Sequence, residues 1–345
     1  MLAYRHAFHA GNHADVLKHA VLLACLSHLQ QKPGPVLVVD THAGAGAYTP
    51  DGPLTRQKSE WHTGLGRLWP MREDNMPSLV RQYVQAVRVA QPGPAPDQPL
   101  VLPGSPWLIT HQMRSQDAIR CCEAHPTDFP LLQAMLGPLG RRAQALQKDG
   151  FESLKAWLPP ASRRGLVLMD PSYELKSDYP QALKSLRDAM SRFATGCYVI
   201  WVPMVARLEV DRFVRQAMAL PAASRLLVSL KVRSPVRDGL GLMGSHLVIL
   251  NPPFGLQASL EEALPWLVKQ LGQDGSARFE LSQQETGGRS PPARQHRAAK
   301  AARLPPAPAR LSDSLDGWLR IFEKTAHPRW THAGPPWRNR PQWWW

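Results

Sequence analysis

Short apolar runs alternate along the chain with longer segments in which apolar residues recur every three or four positions. Runs of about four to eight apolar residues are typical of strands covered on both faces, and the longer period is typical of helices packed on a sheet. This alternation predicts a doubly wound α/β domain with a seven-stranded sheet. The predicted strands are residues 35–40, 118–123, 142–146, 165–169, 197–202, 226–232 and 246–250. Because a loop with several glycines joins the last two strands, we expect them to form one antiparallel edge.

Two segments depart from this alternation. Residues 51–99 carry two amphipathic helical patterns and end in a Pro/Gly-rich stretch, which predicts a helical insertion over the ligand-binding side of the sheet. It could contact a substrate there or only pad the fold. From about residue 273 the chain is rich in Pro and Arg, a composition that cannot bury enough apolar surface to fold. We therefore expect a main domain at 1–50 and 100–272, an insertion at 51–99, and a disordered basic tail at 273–345.

Composition narrows the class of protein. The 345 residues can bury a full core, and the formal net charge of +14 favours a polyanionic partner such as nucleic acid. Half of that charge lies in residues 275–345, which hold 12 Lys and Arg against 5 Asp and Glu, so it also fits simple solubility. The four cysteines lack C-x-x-C spacing, and no signal core or run of about 18 apolar residues occurs. We expect a cytoplasmic protein with reduced thiols and no membrane span.

A glycine-containing loop follows the first predicted strand. Asp40 ends that strand, and Gly44 and Gly46 let the backbone approach a ligand closely. Thr49 stands where a dinucleotide fingerprint has its third glycine, which disfavours a nicotinamide-dependent oxidoreductase. A strand-end acid with backbone donors behind it instead suits a cofactor that carries an amino-acid moiety, such as S-adenosylmethionine.

Acidic residues follow three successive predicted strands: Asp40, Glu123 and Asp149. The carboxyl ends of parallel strands open on one crevice, where these side chains could accept hydrogen bonds from a ribose and an adenine amine. A single acid after a strand is more often a helix N-cap. Glu123 is not a preferred cap, and the three acids together with the glycine loop favour a binding site.

The fourth predicted strand leads into Asp170, Pro171, Ser172 and Tyr173. Asp170 and the Pro171 carbonyl can accept hydrogen bonds from an exocyclic amine, and Tyr173 offers a flat ring to an extruded base. A polar turn after a strand explains the same residues equally well.

A second motif competes with this one. Asn251-Pro252-Pro253-Phe254 is a closer match to an Asn/Asp-Pro-Pro-aromatic motif, but it follows the seventh strand. The fourth strand is expected beside the glycine-loop strand, where a cofactor presents its reactive end. We therefore place the site at Asp170 and interpret Asn251 as part of a strand-ending turn.

The segment before the first strand is crowded with His, Tyr, Arg, Lys and Phe, as in a pocket lining. Asn12 is the predicted N-cap of a helix with Asp15 in its first turn. His9 and His13 are four residues apart, but they span a helix start and lack the Glu of a zinc-protease motif. We predict no metal site.

Five segments closely resemble the bacterial 23S ribosomal RNA adenine-N6-methyltransferases of the RlmJ type: YRHAFHAGNHADVLKH (residues 4–19), DTHAGAG (40–46), PGSP (103–106), SRRGL (162–166) and DPSY (170–173). The resemblance covers about residues 1–271. It implies a Rossmann-like, class I S-adenosylmethionine-dependent methyltransferase domain with a helical insertion. Ser172 stands where the family has a second proline, which relaxes the loop.

The resemblance also implies roles by motif position. Asp170 is the implied catalytic acceptor, together with Pro171 and Tyr173. Tyr4, His6 and Lys18 are implied to serve the substrate. The residues expected to contact the cofactor are His19, His42, Gly44, Gly46, Ser105, Glu123, Asp149, Gly150 and Asp170.

The resulting hypothesis is N6-methylation of one adenine in protein-free or immature 23S rRNA by a cytoplasmic monomer, with S-adenosylmethionine and without a metal. The adenine would be flipped against Tyr173 or Tyr4. The alternatives are an adenine-N6 methyltransferase acting on DNA, an amide-N methyltransferase acting on protein, and a non-catalytic RNA-binding factor of the same fold.

Overall fold

A computed structural model describes residues 5–92, 97–235 and 241–286. Its strands are β1 (Leu37–Asp40), β2 (Ala47–Tyr48), β3 (Leu102–Pro103), β4 (Ala118–Cys122), β5 (Ala143–Leu146), β6 (Gly165–Met169), β7 (Cys197–Met204), β8 (Ser224–Lys231), β9 (Gly244–Leu250) and β10 (Arg278–Glu285). Its α-helices are α1 (His13–Gln30), α2 (Thr55–Lys58), α3 (Leu65–Leu68), α4 (Ser78–Val89), α5 (Ser105–Gln112), α6 (Phe129–Leu136), α7 (Gly150–Ser153), α8 (Asp178–Arg192), α9 (Leu208–Met218) and α10 (Leu256–Leu271). Short 3-10 helices lie at His6–Phe8, Glu60–Thr63, Glu73–Asn75, Gly137–Arg142 and Leu154–Ala156.

Eight strands form one sheet in the order β10-β8-β9-β7-β6-β1-β4-β5, and β2 pairs with β3 in a separate ladder. The strands from β7 to β5 are parallel, whereas β9 runs antiparallel between β7 and β8. The predicted doubly wound domain with an antiparallel edge is confirmed. The predicted count of seven strands is one too low, because β10 adds an antiparallel edge strand beside β8.

Strand β10 lies within the predicted tail, so the tail starts later than the sequence predicts. The composition predicts a tail that begins at residue 273, yet the sheet continues to Glu285. Seven of its eight residues are exposed, so it shows no apolar alternation, and backbone hydrogen bonds to β8 hold it in place. Residues 287–345, including the amphipathic set at Leu315, Trp318, Leu319 and Phe322, lie outside the described residues.

Four neighbouring parallel strands, β6, β1, β4 and β5, bring the predicted site together. In register, Asp40 at the end of β1 lies beside Leu168 of β6 and Cys121 of β4. The loops that follow these strands, and the loop after β5, therefore open on one edge of the sheet. The expected position of the fourth predicted strand beside the glycine-loop strand is confirmed.

Helix α1 is the central element of one face. Asn12 caps it through Oδ1, which accepts the amides of Ala14 at 2.9 Å and Asp15 at 3.1 Å. The helix packs on β6, β7 and β9 and is covered by α4, α5 and α10. The insertion therefore covers α1 and not the carboxyl edge of the sheet; only its beginning, near Lys58 and Glu60, reaches the crevice. Within the described ranges, no helix has the length and apolar character needed to cross a membrane.

Candidate active site

Two cavities adjoin at the carboxyl edge of the sheet. The glycine-loop cavity has a volume of about 280 Å³ and is lined by His42, Gly44, Glu123, Asp149 and Gly150, among others. The charged cavity, of about 350 Å³, is lined by Lys18, Lys58, Trp201, Arg207 and Arg233, among others. His6, Asp170 and Ser172 line both cavities. Asp170 therefore stands where two ligands could meet.

Backbone conformation explains the glycines of the loop. Gly44 and Gly46 have φ angles of 64° and 90°, which L-residues that carry a side chain rarely adopt. A Cβ on Gly44 would lie 2.2 Å from the Tyr48 hydroxyl, and one on Gly46 would lie 2.7 Å from the Met135 sulfur. Gly44 lines the cavity, whereas Gly46 lies behind it against Met135.

The two acids that follow β4 and β5 both line the glycine-loop cavity. Glu123 accepts the backbone amides of Gly44 at 2.8 Å and His125 at 2.6 Å, and burial raises the pKa of its carboxyl to about 7. Asp149 caps α7 by accepting the Phe151 amide at 2.7 Å. Gly150 is required beside it, because a Cβ there would lie 1.8 Å from the Thr41 carbonyl oxygen. The predicted acids converge, and Asp149 is a helix cap as well.

His42 forms another wall of this cavity. Its Nδ1 lies 2.8 Å from the Thr41 hydroxyl, and its ring meets Phe151 edge-on with 4.7 Å between centroids. Burial lowers the pKa of His42 to about 4, so the ring is neutral near pH 7 and can form hydrogen bonds without adding charge.

Besides Gly46, two of the residues expected to contact the cofactor, Ser105 and His19, line neither cavity. The buried Ser105 hydroxyl donates to Asp40 Oδ2 at 2.7 Å, so it acts on the strand-end acid, whose pKa burial raises to about 6. His19 is 1% exposed, lies 3.8 Å from Asp15 Oδ1, and has its pKa lowered to about 3 by burial. Direct contact of Ser105 or His19 with a cofactor has no support in this geometry.

A row of buried charges ends at Asp170. The Lys18 ammonium lies 2.5 Å from Asp170 Oδ2 and 2.7 Å from Asp15 Oδ1, and His6 Nε2 lies 3.1 Å from Asp15 Oδ2. Burial raises the pKa of Asp170, and the neighbouring Lys18 only partly opposes this effect. The structure thus unites His6, Lys18 and Asp170, as predicted, through the additional residue Asp15.

Tyr173 lines the charged cavity, but little of its ring is exposed there. Its side chain is 2% exposed and packs on Tyr179, Phe213 and Trp201, with centroid distances of 4.6, 5.9 and 6.3 Å. The backbone of Tyr173 has a φ of 51°, and stacking of a base on its ring stays a prediction. Tyr4, the other predicted stacking residue, lies outside the described residues.

Comparison with known proteins identifies the family. Residues 33–282 match the family model described as ribosomal RNA large subunit methyltransferase D, RlmJ. A protein named ribosomal RNA large subunit methyltransferase J from Escherichia coli K12 is 38% identical over 282 residues, which are 82% of this chain and 98% of that protein. The chain belongs to the RlmJ family. The resemblance found in its motifs is confirmed.

A second named relative and one solved structure support the same family assignment. The protein of the same name from Haemophilus influenzae is 38% identical over 279 residues, which are 81% of this chain and 97% of that protein. A crystal structure of a Legionella pneumophila protein superposes with a TM-score of 0.72 at 30% identity, over 79% of this chain and 98% of that one. Membership of the RlmJ family makes the chain an RNA methyltransferase.

The competing Asn251 motif lies at the opposite edge of the sheet. Asn251 Nδ2 donates to the carbonyls of Ala194 at 2.8 Å and Gly196 at 2.7 Å, and its Oδ1 accepts the Ala223 amide at 3.1 Å. Because β9 is antiparallel to β7, its carboxyl end meets the start of β7. Asn251 is a turn residue in this RlmJ-type protein, as predicted.

Sequence reasoning missed several residues of the charged cavity. Asp15 follows from the helix pattern only as a first-turn acid, and Trp201 lies inside an apolar strand. Lys58, Arg207 and Arg233 come from three distant segments, so no local pattern indicated them. Among residues 5–92, 97–235 and 241–286, no group of three or more His, Cys, Asp or Glu side chains is placed to hold a metal ion.

Proposed function

We propose that this RlmJ-type chain transfers a methyl group from S-adenosylmethionine to N6 of one adenine in 23S rRNA. The observation that carries the proposal is the position of Asp170, at the junction of two cavities and with one carboxylate oxygen held by Lys18. Among the described residues, the other oxygen, Oδ1, has no hydrogen-bond partner. It can accept a hydrogen from a substrate amine.

The glycine-loop cavity fits S-adenosylmethionine. Glu123 and Asp149 supply acceptors for hydroxyl and amine donors beside the Gly44 backbone, and His42 is a neutral polar wall. When bound, S-adenosylmethionine supplies an electrophilic methyl group on a sulfonium. We propose that these residues and the backbone of Gly150 hold it with that methyl toward Asp170.

The adenine would enter from the charged cavity after leaving its stack. Asp170 Oδ1 and the Pro171 carbonyl accept the two N6 hydrogens and orient the nitrogen lone pair toward the methyl group, at roughly 3 Å. Trp201 and Tyr173 both line this cavity, and Lys18 Nζ lies 6.0 Å from the Trp201 ring centroid, so both rings are candidate aromatic contacts for the base. As N6 gains the methyl group it must lose a proton, and Asp170 accepts it; the raised pKa of this carboxyl favours that step.

The substrate class rests on charge and on the relatives. Lys58, Arg207 and Arg233 line the charged cavity beside Glu60 and Glu174, and these three cations suit the phosphates that flank a flipped nucleotide. The relatives from E. coli and H. influenzae are named as methyltransferases of the large ribosomal subunit RNA. We propose protein-free or immature 23S rRNA as substrate, with the enzyme acting in the cytoplasm as a monomer.

The test is incubation of the protein and labelled S-adenosylmethionine with protein-free 23S rRNA, duplex DNA or a ribosomal protein mixture. Label in N6-methyladenine of the rRNA is expected. Label confined to DNA or protein would move the proposal to one of those substrates. Absence of cofactor binding by calorimetry would instead favour a non-catalytic RNA-binding factor.

A further inference from the structure

Asp15 is a buried acid that the sequence marks only as a residue of a helix first turn. Its carboxyl group is 3% exposed and contacts partners from three places. Oδ2 accepts the Gly11 amide at 2.8 Å and lies 3.1 Å from His6 Nε2, and Oδ1 lies 2.7 Å from the Lys18 ammonium. Both side chains that it contacts line the charged cavity.

We infer that Asp15 is a positioning residue for methyl transfer, which holds Lys18 against one oxygen of Asp170 and holds His6 at the junction of the cavities. This inference rests on the proposed function and names a residue of the same site. The Lys18 ammonium contacts Asp170 through Oδ2 and contacts Asp15 through Oδ1, so the two carboxylates share one cation. Because Asp15 and Asp170 share the Lys18 ammonium, Oδ1 of Asp170 can accept a hydrogen bond from the adenine amine.

Electrostatics support this arrangement. Burial would raise the pKa of Asp15, but Lys18 and His6 outweigh that effect and hold the pKa well below its usual range. Burial lowers the pKa of His6, and the contact with Asp15 outweighs it so that the pKa is raised. The titratable groups that interact electrostatically with Asp15 or Asp170 are His6, His13, Lys18, His19, Asp40, Tyr48, Tyr83 and Tyr173.

If Asp15 positions reacting groups, the Asp15→Asn variant should change the kcat profile. If Asp15 is merely structural, the profile should not change. In Asp15→Asn the amide oxygen can still accept the Gly11 amide, but the negative charge beside Lys18 is lost. The ammonium then pairs with Asp170 alone and can move, and misplacement of reacting groups costs on the order of 10- to 100-fold in kcat. Because Asp15 raises the pKa of Asp170, its neutralisation moves the acid limb of the kcat profile to lower pH.

The experiment compares the kcat-pH profile of the full chain carrying Asp15→Asn with that of the wild type on 23S rRNA. Asp117→Asn is the matched control, because Asp117 is equally buried and paired with Arg114 but stands before β4, at the opposite edge. We expect a lower kcat and an acid limb at lower pH for Asp15→Asn, and an unmoved profile for Asp117→Asn.

An unmoved profile in Asp15→Asn, with or without loss of thermal stability, would overturn the inference. If that variant does not fold, as judged by calorimetry with S-adenosylmethionine, Asp15→Glu decides: it keeps the charge but displaces it, so kcat should fall with the profile retained. A wild-type kcat in Asp15→Glu would equally overturn the inference. Failure of the proposed function is distinguishable, because the wild type itself would then not methylate 23S rRNA.

Discussion

Glu123 and Asp149 follow neighbouring strands, but their oxygens have different partners. One oxygen of Asp149 accepts a hydrogen bond from the Phe151 amide, 2.7 Å away in the first turn of α7. Both oxygens of Glu123 accept hydrogen bonds from backbone amides, one of which belongs to Gly44. Both acids were predicted from their position at strand ends. Only the structure shows that Glu123 also fixes the glycine loop, because that contact joins residues 79 positions apart.

The raised pKa of Glu123 predicts a pH-dependent affinity for S-adenosylmethionine. Hydroxyl donors bind the ionised carboxylate more strongly, and that form is lost as pH falls through about 7. Affinity should rise by up to about tenfold per pH unit as pH approaches about 7 from below, and it should level off above that pH. Isothermal titration calorimetry on both sides of this pH measures it, and Glu123→Gln should bind with a flat pH response. A flat response in the wild type would contradict the assignment.

At the scale of elements, burial decides which strands a sequence reveals. The strands β1, β6 and β7 are covered on both faces and read as continuous apolar runs. The ladder of β2 and β3 is two residues long, and β10 is exposed on both faces, so neither leaves a pattern. The amphipathic pattern of α4 predicted a helix correctly, but it could not show that its partner is α1.

Strand β10 predicts where the chain can be shortened. A chain that ends after Thr286 keeps every strand of the sheet, whereas one that ends after Gly272 leaves the edge of β8 unpaired. The shorter chain should melt several degrees lower, since about 1 kcal/mol corresponds to about 2–4 °C at this size, and it should aggregate more readily. Differential scanning calorimetry and size-exclusion chromatography compare the two. Equal melting temperatures would show that β10 adds nothing to the fold.

For the whole molecule, topology makes part of the site predictable. Parallel strands that share a carboxyl edge must bring Asp40, Glu123, Asp149 and Asp170 to one crevice, whatever the side-chain details. The contact between Lys18 and Asp170 joins residues 152 positions apart, and only the packing of α1 on the sheet creates it. The same limit explains why the burial of Tyr173 could not be predicted, since three elements form its surroundings.

The basic side chains that line the charged cavity predict how RNA binding responds to salt. Lys58→Ala and Arg233→Ala should each raise KM for 23S rRNA more than they lower kcat, and each should reduce the slope of log affinity against log salt by about 1. Arg192→Ala is the control, because Arg192 ends α8 away from the crevice and pairs with Asp188. Filter binding over a salt series measures the slopes. Slopes equal to that of the wild type would remove these residues from the RNA interface.

The central claim is that methyl transfer occurs at Asp170. Mapping of N6-methyladenine at nucleotide resolution, in 23S rRNA treated with wild type, Asp170→Ala or Asn251→Ala, tests it most directly. We predict one methylated adenine with the wild type, none with Asp170→Ala despite retained cofactor binding, and the wild-type level per folded molecule with Asn251→Ala. Methylation by Asp170→Ala at the wild-type rate, or its loss in folded Asn251→Ala, would contradict the account.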